Sequence, residues 1–161
     1  MVTEINLTTL KDAIITRLKT SATLWNGTNP GNGGTFTAIS RGLPENNEAE
    51  GLVYPICFVT NDDELETDKK FGPAVANAAG VSEHVVGIKI LFLALKETGQ
   101  SAEDTLDAFH KVIKETLKGD ITIAGNCTDS WPYRSRSFAA NYRGKALDGR
   151  IIQLACKIHT N

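Results

Sequence analysis

The chain has no basic excess. Its 17 Lys and Arg stand against 19 Asp and Glu, a formal net charge of −2. Dedicated nucleic-acid binders usually carry a strong basic excess, so sequence-specific nucleic acid is not expected as a partner. Apolar runs are short: none approaches the roughly 20 residues a membrane-spanning helix needs, and no membrane partner is expected. Cysteine is scarce as well. Cys57, Cys127 and Cys156 are odd in number and widely spaced, with no CxxC pair. That pattern suits neither a disulfide framework nor a zinc knuckle, and it predicts buried, reduced thiols in a protein made in a reducing cytosol. The opening stretch MVTEINLTTLKDAIITRL lacks a basic segment followed by an apolar core, so no secretory leader is expected. Without one, the sequons at Asn6, Asn26 and Asn126 carry no weight.

What remains is an ordinary soluble composition, 41% hydrophobic and 22% charged, over 161 residues. That length predicts a single domain, 1–161, with a real core. The charge is unevenly spread. Between Gly42 and Asp68 lie Glu45, Glu48, Glu50, Asp62, Asp63, Glu64, Glu66 and Asp68, with no Lys or Arg. From Trp131 onward there are Arg134, Arg136, Arg143, Lys145, Arg150 and Lys157 against a single acid, Asp148. Segregation of this kind suits head-to-tail contact between copies, or simply two solvated loop regions.

Hydrophobic spacing sets the elements. Leu7, Leu10, Ile14 and Leu18 recur every three or four residues and predict a helix over 8–24, broadened by Ala13 and Ile15, with Thr9 and Asp12 as a capping box. Gly, Asn and Pro dominate 26–51, a long loop with at most a short strand over 35–39. Residues 52–60 read as a strand that Pro55 places at an edge or a strand start. A second long connection, 61–81, follows, acidic at first and then small and apolar. Residues 82–96 hold the most apolar strand, and from Ile90 to Leu95 it does not alternate, so both of its faces need cover. The helix after it begins at a Ser101–Asp104 capping box and buries Leu106, Phe109, Ile113 and Leu117. Gly119 is placed to end that helix in a left-handed conformation. Residues 131–142 read as extended. Asp148-Gly149 is a hairpin signal, and 150–159 alternates cleanly, with Ile152, Leu154, Cys156 and Ile158 on one face. The order predicts an α+β fold: an antiparallel sheet of about four strands with two helices packed on one face.

No catalytic constellation emerges. Cys156 and His159 are three apart, which on a strand puts them on opposite faces and disfavours a shared metal. A Cys57–His84 nucleophile pair is far less expected than a core cysteine and an ordinary histidine. The Asn-Pro-Gly-Asn-Gly-Gly run at 29–34 lacks the strand, Lys-Ser/Thr ending and helix of a phosphate-binding loop. The acidic run at 62–68 lacks the turn glycine and closing Glu of a calcium loop and reads as a solvated loop. Arg134, Arg136 and Arg143 interleaved with Trp131, Tyr133, Phe138 and Tyr142 suit a protein interface better than a nucleic-acid one. No metal, no cofactor and no enzymatic activity are expected.

Certain phrases in this order are familiar. A first helix precedes Tyr54-Pro55-Ile56-Cys57-Phe58, an acidic hairpin, and an apolar strand ending at Lys96-Glu97. Then come Ser101-Ala102-Glu103-Asp104-Thr105-Leu106-Asp107-Ala108, Asp120-Ile121-Thr122-Ile123-Ala124-Gly125-Asn126-Cys127 and a closing hairpin. The whole resembles the tail terminator (tail completion) proteins of long-tailed bacteriophages, related to minor tail and neck proteins; the insertion at 26–51 departs from that pattern. The resemblance implies a virion protein assembled in the host cytoplasm. It would form a ring, usually a hexamer, that caps the tail tube, ends its polymerisation and presents the head-joining surface. Its partners would be further copies of itself, the tail tube protein and the head–tail connector. On this reading the subunit or partner interface comprises Asp62, Asp63, Glu64, Glu66, Asp68, Trp131, Tyr133, Arg134, Arg136 and Arg143. The alternatives are a neck adaptor or stopper and, in another class, a small ligand-binding or enzymatic domain around His84, His110 or Cys57.

Overall fold

The computed structural model describes residues 6–42, 53–69, 82–96, 102–142 and 144–160. Its elements run α1 (Leu7–Leu18), β1 (Ile39–Arg41), β2 (Ile56–Lys69), β3 (Ser82–Leu95), α2 (Glu103–Lys118), β4 (Asp129–Tyr142) and β5 (Lys145–Thr160). The fold is α+β. Among the described residues the sheet has five strands in the order β1-β2-β3-β5-β4. β2 to β5 pair antiparallel as expected, but β1 pairs parallel with β2, Ile39 opposite Cys57, so the sheet is mixed. The short strand expected at 35–39 instead occupies Ile39–Arg41. It is too short for alternation to reveal, and Gly and Pro surround it.

Register assigns the two faces. In an antiparallel ladder, directly paired residues share a face. Val86, Ile88 and Ile90 pair with Cys156, Leu154 and Ile152, while Val59 pairs with Ile90. These pack with Leu10, Ile14 and Leu18 of α1 and Leu106, Phe109, Ile113 and Leu117 of α2 in one core. Both helices therefore cover the same face. Phe36, from the loop before β1, stacks on Phe109 at 4.2 Å between ring centroids. The stripe read from α2 is the stripe that is buried.

Local chemistry corrects several boundaries. Asn6, not Thr9, caps α1: its side chain accepts from the Thr9 amide at 3.0 Å. The helix stops at Leu18 rather than Leu24, because the Thr20 hydroxyl takes the Arg17 carbonyl at 2.6 Å and Ser21 begins a turn. α2 begins at Glu103 after Ala102, which supplies no side-chain cap, and Ser101 lies outside the described residues. Gly119 is right-handed (φ −67°). It is small for a different reason: a Cβ there would stand 2.4 Å from the Arg17 guanidinium, whose Nε donates to the Thr116 carbonyl at 3.1 Å and ties α1 to α2. Asp148-Gly149 is not a turn either. β5 runs through it, and the chain reverses between Tyr142 and Lys145, where Gly144 has φ +77°. The largest correction concerns the acidic run, which is strand rather than loop, since β2 continues to Lys69.

Candidate interaction site

The face of the sheet away from the helices divides into two halves, and half of the residues singled out in the sequence meet on one of them. β2 carries a bulge there. Asn61 pairs with Ile88 and Glu66 with Val86, so Asp62 to Leu65 stand opposite Gly87 alone. The bulge folds onto Gly87: a Cβ at that glycine would lie 2.9 Å from both the Cβ and the carbonyl oxygen of Asp62, and 3.0 Å from the Cβ of Leu65. Glycine is needed for close approach and not for backbone conformation.

The fold-over buries Asp62, which is 3% exposed, against Gln153, which is fully buried. The Tyr133 hydroxyl donates to Asp62 Oδ2. Gln153 Nε2 lies 3.0 Å from the same oxygen, 2.9 Å from Glu64 Oε2 and 3.1 Å from the Tyr133 hydroxyl. The Glu64 amide donates to Asp62 Oδ1 at 3.1 Å, and Lys89 Nζ stands 3.8 Å from it. Glu64 in turn receives Arg136 at 3.2 Å and Arg134 at 3.8 Å. β4 brings these groups within reach through its own bulge, between Pro132 and Arg134, which makes Tyr133 the extra residue.

The electrostatics follow. Burial pushes the Asp62 carboxyl up, but the Tyr133, Glu64-amide and Gln153 hydrogen bonds and the Lys89 ammonium outweigh it and hold the group below the usual carboxylate range. The Gln153 bond leads in lowering Glu64, with Arg136 and Lys89 adding to it. Burial, then the bond to Asp62, drives Tyr133 upward, so it stays a neutral donor. A carboxylate with its lone pairs occupied and a tyrosine that does not ionise make a lock, not an acid–base pair.

Five of the ten residues singled out therefore gather here: Asp62, Glu64, Tyr133, Arg134 and Arg136. Asp63 is exposed on the bulge, and Trp131 is exposed on β4 opposite Ala155. Glu66 and Asp68 sit on the ladder opposite Val86 and His84, with side chains outside the described residues, as is all of Arg143. The acidic and basic segments meet within one chain. Lys89, Gln153 and Gly87 were missed. Their signal is a shared parity: all three interrupt the apolar residues of one sheet face.

The other half of this face is apolar. Ile56, Phe58, Leu93 and Leu147 are buried together, with Leu91, Phe138, Tyr54 and Ala38 packed against them. Phe138 lies over Gly149, where a Cβ would meet its ring at 2.2 Å. Around this cluster Leu95 and Tyr142 are exposed, and Val53 is 65% exposed.

The remaining candidates separate. Cys57 lies opposite Phe92 and His84 opposite Asp68, eight β3 residues away, on the order of 25 Å. Burial drives the Cys57 thiol upward, away from a nucleophile's range. His159 bonds Glu83 at 3.2 Å, while Cys156 is in the core. His110 Nε2 is 3.4 Å from the Ser135 hydroxyl, but its Nδ1 is buried with no partner, so no third group orients the ring as a triad requires. A cleft of about 250 Å³ between Leu7 and the bulge is smaller than ligand pockets, which run to about 300 Å³ and above. Among the described residues no group of three or more His, Cys, Asp or Glu is placed to hold a metal, and no helix is long and apolar enough to cross a membrane. No family model matches the chain, and no curated protein matches it at a significant level.

Proposed function

We propose that the protein is a structural component of a phage virion, a tail terminator that forms a ring at the head-proximal end of the tail tube. Its role is assembly, with no reaction and no cofactor. The observation that supports this best is the apolar half of the open sheet face. Leu95, Tyr142 and Val53 are exposed beside the small cluster of Ile56, Phe58, Leu93 and Leu147. An apolar area left beside a polar one whose carboxylates are already partnered within the chain is what a subunit contact uses. A neighbouring copy seated there by a heterologous contact that closes gives a ring, and the tube protein and head connector then bind its two rims. Trp131, also exposed on the edge strand β4, lies opposite Ala155 on the far side of the charged cluster and is not part of this patch.

The charged cluster has a different role in this reading. Its acids and bases are matched within the chain, so it shapes the protomer, while the apolar half makes the contact. Multi-angle light scattering on the sized protein, alone and with purified tail tube protein, tests the reading, with negative-stain imaging of the larger species. The expected result is a ring-sized assembly, or capture onto tube ends, that Leu95→Glu with Tyr142→Ser abolishes while leaving the thermal midpoint unchanged. A monomer that stays monomeric at all concentrations and ignores the tube would sink it.

A further inference from the structure

β4 is the long edge of the sheet. It pairs with β5 alone, and among the described residues no strand lies on its outer side. The opposite edge, β1, is three residues long, and shortness is itself a protection against pairing. β4 has 14 residues and is protected in one half only. Pro132 has no N–H to offer, the bulge at Tyr133 breaks the ladder, and Arg134 and Arg136 set charge beside it. From Ser137 to Tyr142 the strand has no Pro, no bulge and no charge, and its register with β5 is unbroken. The outward N–H and C=O groups of that stretch are a template for a further strand.

The side chains decide which strand fits. Ser137, Ala139 and Asn141 are exposed on the side toward the helices, since Ser137 pairs with Arg150, whose guanidinium reaches Asp107 of α2. Arg136, Phe138 and Ala140 are half-buried on the open face. The Phe138 ring lies inward over Gly149 and leaves the flank of the strand clear. A second copy turned about an axis through Ala139, perpendicular to the sheet, brings the two β4 strands together antiparallel with like faces on one side. Phe138 then opposes Ala140, Ser137 opposes Asn141, and Arg136 opposes Tyr142. A ring meets a methyl, a hydroxyl meets an amide, and a guanidinium meets an aromatic ring, while no charge meets its like. The small Ala139 sits on the axis. Centring on Phe138 would set ring against ring there, and centring on Ala140 would leave only Phe138 to Tyr142 of the strand to pair.

We propose that residues 136–142 of β4 pair antiparallel with the same residues of a second copy, joining the two sheets edge to edge. The contact is isologous and uses the backbone edge, where the ring contact proposed above is heterologous and uses the apolar face; neither rests on the other. The paired stretch is short, so the dimer is weak and depends on concentration.

Directly opposed Cβ atoms stand about 5 Å apart, which a disulfide bridges with little shift. Four residues along a strand is about 13 Å, which it cannot bridge. Full-length Ala139→Cys, oxidised in dilute solution, should therefore form a covalent dimer joined through residue 139, located by peptide mapping. The native Cys57, Cys127 and Cys156 are buried and add no background. Ser137→Cys, whose two copies would stand four residues apart, should not cross-link to itself but should cross-link when mixed with Asn141→Cys. Ala139→Lys sets two ammonium groups face to face. It should raise the dissociation constant of the dimer by at least about tenfold in light scattering. Its thermal midpoint should not change, because residue 139 is exposed. Leu95→Glu should leave the 139 cross-link intact, so the edge contact and the ring contact fail separately. Cross-linking of neither single-cysteine variant, equal cross-linking of both, or an Ala139→Lys dimer as tight as the wild type would each overturn the proposal.

Discussion

The two halves of the open sheet face solve one problem in two ways. Each contains a glycine whose missing side chain leaves a dent in the sheet, Gly87 on β3 and Gly149 on β5. Gly87 is filled by backbone: the bulge of β2 crosses it, and Asp62 is held down by Tyr133, Gln153 and Lys89. Gly149 is filled by a side chain, the Phe138 ring. Backbone cover brings peptide and carboxylate groups into a buried place, so that half is polar and its Asp62 and Glu64 carboxylates are hydrogen-bonded, while Gln153 Oε1 and Arg136 Nε are buried there without a partner. Ring cover needs no partners, so that half stays apolar and ends in exposed Leu95, Val53 and Tyr142. The first half has its carboxylates partnered within the chain, and the second is where another protein gains most by binding.

The comparison is broken most directly at Gly87. Neither glycine has a positive φ, so Ala at either position tests space alone. At Gly87 the new methyl meets the Asp62 carbonyl oxygen and the Cβ atoms of Asp62 and Leu65, none of which a change of rotamer can move. Gly87→Ala should therefore lift the bulge and cost about 3 kcal/mol, at the upper end of overpacking. Urea denaturation measures it. The bulge should also become exchange-competent, with the Glu64 amide losing protection. An unchanged midpoint would mean that the bulge does not rest on Gly87.

How much of this was legible depends on the range of the interactions. α2 and β5 were readable because their periodicities lie within one element: Leu106, Phe109, Ile113 and Leu117 for the helix, Ile152, Leu154 and Cys156 for the strand. The doubled need for cover over Ile90–Leu95 was readable too, and the second face does bury Leu93. The acidic run was misread because charge implies solvent unless a partner is known. The partners of Asp62 lie 71 and 91 residues away, beyond any local pattern. Asp148-Gly149 has the composition of a turn, but its glycine answers to Phe138 across the ladder. Gly119 likewise answers to Arg17 and not to its own helix end. In each case the local rule was sound, and a contact distant in sequence overrode it.

The next effect in size is at Asp62. Asp62→Ala leaves the Tyr133 hydroxyl and the buried Gln153 amide without their acceptor and should cost about 2 kcal/mol. Tyr133→Phe removes one donor only and should cost less. Both are read from thermal or urea midpoints. The same group sets a pH dependence. Its folded pKa is depressed, so its contribution is fully present above the unfolded value near about 3.9. It is lost as pH falls through the lower folded value. Wild-type stability should thus decline below about pH 4 more steeply than that of Asp62→Asn. Parallel acid limbs for the two proteins would show that Asp62 is not held ionised by its neighbours.

Gly149→Ala should have the smallest effect, and the reason sharpens the contrast. The clash there is closer than at Gly87, 2.2 Å against 2.9 Å, so distance alone ranks it as the worse substitution. What the methyl meets decides otherwise. Phe138 is half-buried on edge strand β4, at the boundary of the apolar half, and its ring can turn toward solvent by a change of rotamer. The loss is some apolar burial, offset by the lower conformational entropy that alanine brings to the unfolded chain, so the net cost should be about 1 kcal/mol. The displaced ring would add to the exposed apolar surface beside Leu95 and Tyr142. If that half is the contact surface, Gly149→Ala should alter self-association more than stability, whereas Gly87→Ala should do the reverse. Measuring urea midpoints and light-scattering masses for both variants separates the two halves. Equal effects on both readouts would mean that the open face behaves as one surface rather than two.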